Sequence, residues 1–299
     1  MTRRQQLTAA QLGALFDPAT EQRDMVRHYT LSDADLGMIR RCRGDHSRLG
    51  YAAMPCCLRY PGRHLHANEQ APPAVVSFVA EQLDVCWDGV ADPMPSEQTR
   101  RRHAAELQRW MRLRPFSARH GAELAKWLLP HALENDRLAH LAGLVLEECR
   151  QRRIIIPPPR TLERLCVTVR YRARRELERR LTDGLSVEQR RRLDALTTRR
   201  PEAAHSWLAW LRHMPQATKP SAMLGLIERL DHVRAIGLDP ARAHRVHQAR
   251  LAQLAREAGR TTVQHIAGYE PQRRHATLTA AALDPRFFDP KRVVNPFKL

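Results

Sequence analysis

The sequence has 299 residues, enough to bury a sizeable hydrophobic core and to form two or three domains. It carries 50 basic and 32 acidic residues, a formal net charge of +18. Such an excess favours a polyanionic partner, most often nucleic acid. No apolar run approaches the roughly 20 residues that a membrane span needs, so no membrane partner is expected. We expect a cytoplasmic, nucleoid-associated protein.

Arginine supplies nearly all of the basic residues, since lysine occurs only at positions 126, 219, 291 and 298. A guanidinium group can form paired hydrogen bonds with phosphate or guanine, although codon usage in a GC-rich genome would also favour arginine. The six cysteines form no C-x-x-C pair, and His64-x-His66 and His244-x-x-His247 lack a second pair of ligands. We therefore predict no metal site and no cofactor.

Helical periodicity extends through nearly the whole chain and predicts an all-α, multi-helix fold. In chain order, the first element is a short helix over residues 7–16 that Thr8 caps. Two helices joined by a basic turn follow over residues 27–62. Ser32 caps the first helix, Gly44 is expected to end it, and the second is expected to begin near Arg48.

This two-helix pattern is typical of a helix-turn-helix DNA reader, although similar pairs occur in proteins that bind no nucleic acid. The arginines cluster at the joint and at the end of the second helix. The candidate DNA-binding residues of this unit are Arg40, Arg41, Arg43, Arg48 and Arg59.

A second basic segment follows a boundary rich in Asp, Gly and Pro at residues 88–95. It predicts a helix from Ser96 to about Met111, with Leu107 and Trp110 on its apolar side. Its charges are nearly all positive, so their repulsion is unrelieved unless phosphates lie nearby. The candidate DNA-binding residues here are Arg100, Arg101, Arg102, Arg109, Arg112 and Arg114.

Beyond residue 156 the pattern predicts a stiff connector of three prolines, a long helix that begins at Thr161, and a capping box at Ser186. We interpret Trp207 and Trp210 as core residues rather than a base-stacking platform. Further helices are expected over residues 221–236 and 240–259. The outer surface of the long helix is expected to carry Arg170, Arg172, Arg174, Arg175, Arg179 and Arg180.

Several blocks resemble the N-terminal region of the replicative transposases of the Tn3 family. They include RHYTLSDADLGMIRRCRG at residues 27–44 and RLGYAAMPCCLRYPG at residues 48–62. Further blocks at residues 100–116, 152–165, 206–212 and 251–278 follow in the family's order. The resemblance covers most of residues 5–280, and the first two blocks together form a specific pair.

The resemblance implies helical DNA-binding modules that recognise the terminal inverted repeats of a transposon, followed by a helical dimer-forming region. It places the catalytic domain, with three carboxylates and two metal ions, at the far C-terminus of the family's proteins. No block of this chain resembles that domain, so no catalytic residue is carried over and we expect no enzyme activity.

We expect four regions. A first DNA-binding module spans residues 1–90 and contains the helix-turn-helix-like unit at 27–62. A second basic module spans 95–156, and a dimerisation or linker region spans 160–283. A divergent, proline-rich tail spans 284–299, which a frameshift or a truncated gene would explain, with a genuinely short protein as the alternative.

The expected function is binding of double-stranded DNA at transposon ends. Two alternatives remain open at this point: a fragment that pairs with itself or with full-length transposase and modulates it, or a remnant without function.

Overall fold

The computed structural model describes residues 7–65, 69–201, 203–213, 220–284 and 287. Over these residues the chain forms fifteen α-helices and one 3-10 helix, and its extended pairing is limited to isolated bridges. The prediction of an all-α fold is therefore confirmed. Nearly all of the expected tail at 284–299 lies outside the described residues. No helix within the described ranges is both long and apolar enough to cross a membrane.

The helices are numbered in chain order. The first nine are α1 (Ala9–Phe16), α2 (Gln22–Tyr29), α3 (Asp33–Ile39), α4 (Asp45–Arg59), α5 (Pro73–Leu83), α6 (Glu97–Trp110), α7 (Ala118–Glu134), α8 (Leu138–Gln151) and α9 (Pro159–Thr182). They are followed by α10 (Val187–Ala195), α11 (Trp207–Arg212), α12 (Pro220–Arg234), the 3-10 helix (Pro240–Arg245), α13 (Gln248–Arg260), α14 (Val263–Ala267) and α15 (Pro271–Leu283).

The chain divides into two compact units. Unit 1 consists of Met1–Leu128 and Arg137–Val167, and unit 2 consists of Leu129–Asp136 and Thr168–Leu299. Both of the basic segments expected to bind DNA fall in unit 1. The division into separate modules at 1–90, 95–156 and 160–283 stays a prediction.

Helix α4 is the centre of unit 1. Every residue from Leu49 to Leu58 is buried, and a helix that is apolar on all sides belongs inside a core. Side chains of α2, α3, α5 and α6 pack in the same core, among them Tyr29, Ile39, Val75 and Leu107. The basic helix α6 is thus fixed to the same core as the two-helix unit.

Local capping signals account for where three helices begin. Thr8, Ser32 and Ser186 each accept a hydrogen bond from the backbone three residues later, and the side chain at that later position bonds back to the cap. These reciprocal bonds satisfy backbone groups that the first helical turn leaves unpaired. All three caps were predicted from the sequence and are confirmed.

Two features of the first sixty residues differ from the expectation. Helix α2 was not predicted, and its first residue follows Glu21, which makes no side-chain cap. Gly44 does not end α3, because α3 ends at Ile39 with Arg40 as its C-cap. Instead, Gly44 has a φ of +79° and is the N-cap of α4, a left-handed conformation that glycine adopts without strain.

Unit 2 has two apolar clusters. One contains Leu193, Leu208, Leu211 and Ile266, with Trp207 and Trp210 packed against it, as predicted for a core role. The other joins the end of α9 to α13 and α15 through residues such as Leu177 and Leu251.

Candidate nucleic-acid interface

The turn between α3 and α4 presents arginines outward because its other residues face the core. Ile39 is almost fully buried and Cys42 is half-buried. The backbone tightens after α3, since the amide of Cys42 donates to the Ile39 carbonyl at 2.9 Å. The residues between and after these two anchors are left in solvent, and they are Arg40, Arg41 and Arg43.

Helix α6 has one buried stripe and one exposed stripe. Leu107 is fully buried against the core of unit 1, and this contact fixes the rotation of the helix. The opposite face of the helix is exposed, and its residues recur at helical spacing. They are Gln98, Arg101, Arg102, Ala105 and Arg109. The exposed stripe continues into Arg112 in the turn after the helix.

The two basic elements border a shallow, open cleft of roughly 690 Å³ between α3 and α6. We name it the α3–α6 cleft. Its lining consists of Ala34, Gly37 and Met38 from α3, Arg41 from the turn after α3, and Glu106, Arg109 and Trp110 from α6. The fold therefore brings one arginine from each predicted set to the same surface. Trp110, which was expected on the apolar side, is 36% exposed at the edge of this cleft.

Six of the eleven candidate arginines are exposed and form no ion pair with a carboxylate of the described residues. They are Arg40, Arg41, Arg43, Arg102, Arg109 and Arg112. The Nε of Arg109 donates to the Ala105 carbonyl at 3.2 Å, and this is the side-chain hydrogen bond that Arg109 makes to the described residues. Because none of these cations is paired with a carboxylate of the described residues, they repel one another in the free protein.

Three further candidates make exposed contacts with the chain. Arg48 pairs with Asp45 at 3.2 Å, Arg101 pairs with Glu97, and Arg114 donates to the carbonyl of Arg152 at 2.9 Å. Exposed pairs of this kind contribute little to stability, so a phosphate can displace the carboxylate.

Arg59 holds α4 to the start of α3. Its Nη2 donates to both carboxylate oxygens of Asp35 at 2.5 and 2.6 Å, and Asp35 is almost fully buried. Burial opposes the charge on Asp35, but the hydrogen bonds from Arg59 and Ser32 outweigh it and hold the pKa of this carboxyl below its usual value. The guanidinium of Arg59 is thus engaged within the fold.

Arg100 is the other candidate that the fold takes inward. Its side chain is buried, and its Nη1 donates to the carbonyl of Glu69 at 3.1 Å. It lies on the face of α6 opposite the exposed stripe. Neither Arg59 nor Arg100 is available to an external ligand in this conformation.

The arginines of α9, in unit 2, have different surroundings. Arg174 pairs with Glu178 at 3.0 Å, and Arg175 pairs with Glu270 at 3.1 Å. Arg179 and Arg180 both bind Glu176, at 2.9 and 2.8 Å, which lowers the pKa of Glu176 to about 2. The sequence analysis placed these arginines on an outer surface but did not identify their carboxylate partners.

Sequence reasoning did not identify Gly37 or Trp110 as parts of a site. A glycine within a short helix next to an arginine-rich turn was the available signal for Gly37.

For metals, no group of three His, Cys, Asp or Glu side chains within the described ranges has a ligand-like arrangement.

Comparisons with known proteins show which family and which curated proteins this chain resembles. A family model described as a domain of unknown function, DUF4158, matches residues 7–169. The transposase for transposon Tn501 of Pseudomonas aeruginosa is 37% identical over 287 residues, which are 95% of this chain. The transposases for transposons Tn3926 and Tn21 of Escherichia coli are 37% and 38% identical over 284 residues.

In each of these three comparisons the match covers 29% of the relative. The chain thus spans less than a third of the length of the transposases it matches. The predicted resemblance is confirmed: the chain belongs to the DUF4158 family and is homologous to the N-terminal part of Tn3-family transposases.

Proposed function

We propose that this chain binds double-stranded DNA through the α3–α4 turn and the exposed stripe of α6. The observation that carries the proposal is the group of six exposed arginines without carboxylate partners in the described residues, of which Arg41 and Arg109 line one cleft. Such a group is destabilised by its own repulsion, and phosphates relieve that repulsion while releasing counterions from DNA. The similarity to transposases of named transposons supports DNA as the polyanion.

The specific ligand in this proposal is the terminal inverted repeat of a transposon. Phosphate contacts position a protein on DNA, whereas contacts with base edges give sequence preference. Helix α6 is better placed for base contacts than α4. Helix α4 is buried from Leu49 to Leu58 and has no free face along that stretch to enter a groove, whereas the 14-residue helix α6 exposes a stripe along its length.

We further propose that the chain has no catalytic activity of its own and acts at the nucleoid by binding alone. The family resemblance assigns the catalytic carboxylates to a C-terminal domain, and the matched part of the relatives is 29% of their length.

The experiment is a binding titration against a terminal-repeat duplex from a related transposon, such as that of Tn21, and a scrambled duplex of equal length. Measured across a salt series, the affinity should fall with a log–log slope of about 0.9 for each phosphate contacted. The terminal repeat should bind more tightly at every salt concentration. Equal affinity for the two duplexes contradicts specific recognition, and no binding at low salt contradicts the proposal as a whole.

One observation in unit 2 favours a second function, pairing with full-length transposase. Met223, Leu224 and Ile227 lie on one side of α12 and are 57%, 62% and 49% exposed. Adjacent apolar side chains in solvent are typical of a protein-binding surface. Co-purification with an intact relative tests this function. The double variant Leu224→Glu/Ile227→Glu should lose pairing, whereas Val187→Glu, at an isolated exposed position on α10, should retain it.

A further inference from the structure

Neither a steric contact with the described residues nor the backbone conformation requires glycine at position 37. It lies within helix α3, where alanine would be more favourable, because glycine loses more conformational freedom when a helix forms. A Cβ built at Gly37 meets no atom of the described residues within 4 Å, and the backbone does not have a positive φ.

Two other glycines of unit 1, Gly50 and Gly44, are required by a steric contact or by the backbone conformation. A Cβ at Gly50 would lie 2.0 Å from the carbonyl oxygen of Pro93, so α4 can approach that segment only without a side chain. Gly44 has the left-handed conformation described above. Gly37 has neither constraint, so the contacts of the described residues do not explain why this position is glycine.

The surroundings of Gly37 point to a ligand outside the folded chain. Gly37 and Ala34 form the low side of the α3–α6 cleft, and Arg41 and Arg109 line the same cleft. Absence of a side chain allows another backbone to approach closely, and the neighbouring guanidinium groups select an anionic one. Glu106 is the only carboxylate among the lining residues, so the cleft keeps an excess of positive charge.

We infer that the α3–α6 cleft seats one sugar-phosphate strand of the duplex, with Gly37 at the point of closest approach. Arg41 and Arg109 contact the phosphates on either side of it. This inference rests on the proposed function and adds to it which part of the DNA occupies the cleft. Because the sugar-phosphate strand is the same in every sequence, the cleft contributes affinity rather than sequence preference.

The test replaces Gly37 and compares folding with DNA binding. Gly37→Ala should raise the Tm by roughly 1–3 °C, since alanine favours the helix and fits the space. The same substitution should weaken DNA binding about two- to five-fold, and Gly37→Leu should weaken it at least about 10-fold, because each side chain keeps the strand from its seat.

Gly143→Ala is the matched control. Gly143 is a helical glycine of α8 in the same unit, and a Cβ there would lie 3.9 Å from Leu15 Cδ2, an ordinary contact. This variant should raise the Tm similarly and leave DNA affinity unchanged. A change that stabilises the protein and weakens DNA binding at position 37 alone cannot be explained by misfolding.

The two duplexes of the binding titration separate the possible outcomes. Equal losses of affinity for the terminal repeat and the scrambled duplex support the inference, with a salt slope lower by about 0.9 for each phosphate that the variant no longer binds. If wild type binds and both Gly37 variants bind equally well, the cleft is empty in the complex and the inference is wrong. A loss confined to the terminal repeat also overturns it, since the cleft would then contact bases. If wild type binds neither duplex, the proposed function itself fails.

Discussion

The arginine-rich turn of unit 1 and the arginine-rich part of α9 that lies in unit 2 look alike in the sequence but differ in the folded chain. Arg40, Arg41 and Arg43 are exposed without a carboxylate partner in the described residues, whereas Arg174 and Arg175 pair with glutamates. The difference originates in the spacing of acidic residues. Helix α9 places Glu176 and Glu178 three or four residues from its arginines, a spacing that brings side chains together on a helix.

This comparison shows that arginine density alone does not identify a DNA-binding surface. Arginines also donate to carbonyls at the ends of helices, as Arg242 does to the carbonyl of Leu181 at 3.1 Å near the end of α9. Such arginines are structural, and they account for part of the positive charge. Exposed arginines without a carboxylate partner are therefore informative where they cluster on one surface, as Arg41 and Arg109 do at the α3–α6 cleft.

The largest expected effect is on DNA binding by the cleft arginines. The double variant Arg41→Glu/Arg109→Glu should lower the affinity for either duplex roughly 100- to 1,000-fold at 0.1 M salt, or about 3 to 4 kcal/mol, because it replaces attraction to phosphates by repulsion. The Tm should hardly change, since both side chains are exposed and form no ion pair within the described ranges. Fluorescence anisotropy and thermal unfolding measure the two quantities.

The control for this prediction is Arg172→Glu, an exposed arginine of α9. It changes the net charge with the same sign but lies in unit 2. If it weakens DNA binding as much for each charge reversed, net charge rather than the cleft determines affinity, and the contrast between the two regions disappears.

The next effect concerns a structural arginine within unit 1. Arg59→Met should destabilise the protein by about 3 kcal/mol, because it leaves the buried carboxylate of Asp35 without its charged partner. DNA affinity measured below the new Tm should stay within about two-fold of wild type. Urea unfolding gives the stability change. A large loss of DNA affinity in fully folded Arg59→Met protein would instead assign Arg59 to the interface.

The same pair should make stability depend on pH. Asp35 has a lowered pKa in the folded chain, so its contribution is fully present above the unfolded value near pH 4 and is lost as pH falls through the folded pKa. Urea unfolding at pH 5, 4 and 3 should show a smaller loss of stability in Asp35→Asn than in wild type. Parallel losses in the two proteins would mean that other carboxylates govern acid unfolding.

The smallest effect is expected from the paired arginines of α9. Arg180→Ala should lower stability by about 0.5 to 1 kcal/mol, because it removes a partly exposed ion pair with Glu176 at 2.8 Å. DNA affinity should not change. A loss of DNA affinity larger than that of Arg41→Ala would show that the ion pairs of α9 open to bind DNA and would reverse the comparison.

Local signals in the sequence were sufficient for much of the fold. Thr8, Ser32 and Ser186 mark helix starts because a cap depends on residues only three positions apart. Helix α2 was missed because it has no such side-chain cap, and Gly44 was assigned to the wrong helix end because a glycine serves either. These errors concern boundaries and short helices rather than fold class.

The candidate site was less accessible to sequence reasoning because it depends on contacts between distant segments. Nothing local indicates that Arg59 pairs with Asp35 or that Arg100 is buried beside the carbonyl of Glu69. Likewise, Arg41 and Arg109 come together only because α3 and α6 pack on the same core. Sequence patterns selected the elements that carry the candidate arginines, and tertiary packing determines which of these arginines are exposed.

Because Leu49 to Leu58 of α4 are all buried, the residues that stabilise the core of unit 1 differ from the exposed arginines proposed to contact a ligand. Ten consecutive residues of this helix define the interior, while the arginine-bearing positions lie at its periphery. Evolution can therefore exchange peripheral residues without disturbing the interior. Under the proposed function, a chimera that transplants only those peripheral positions should inherit the donor's preference for transposon ends.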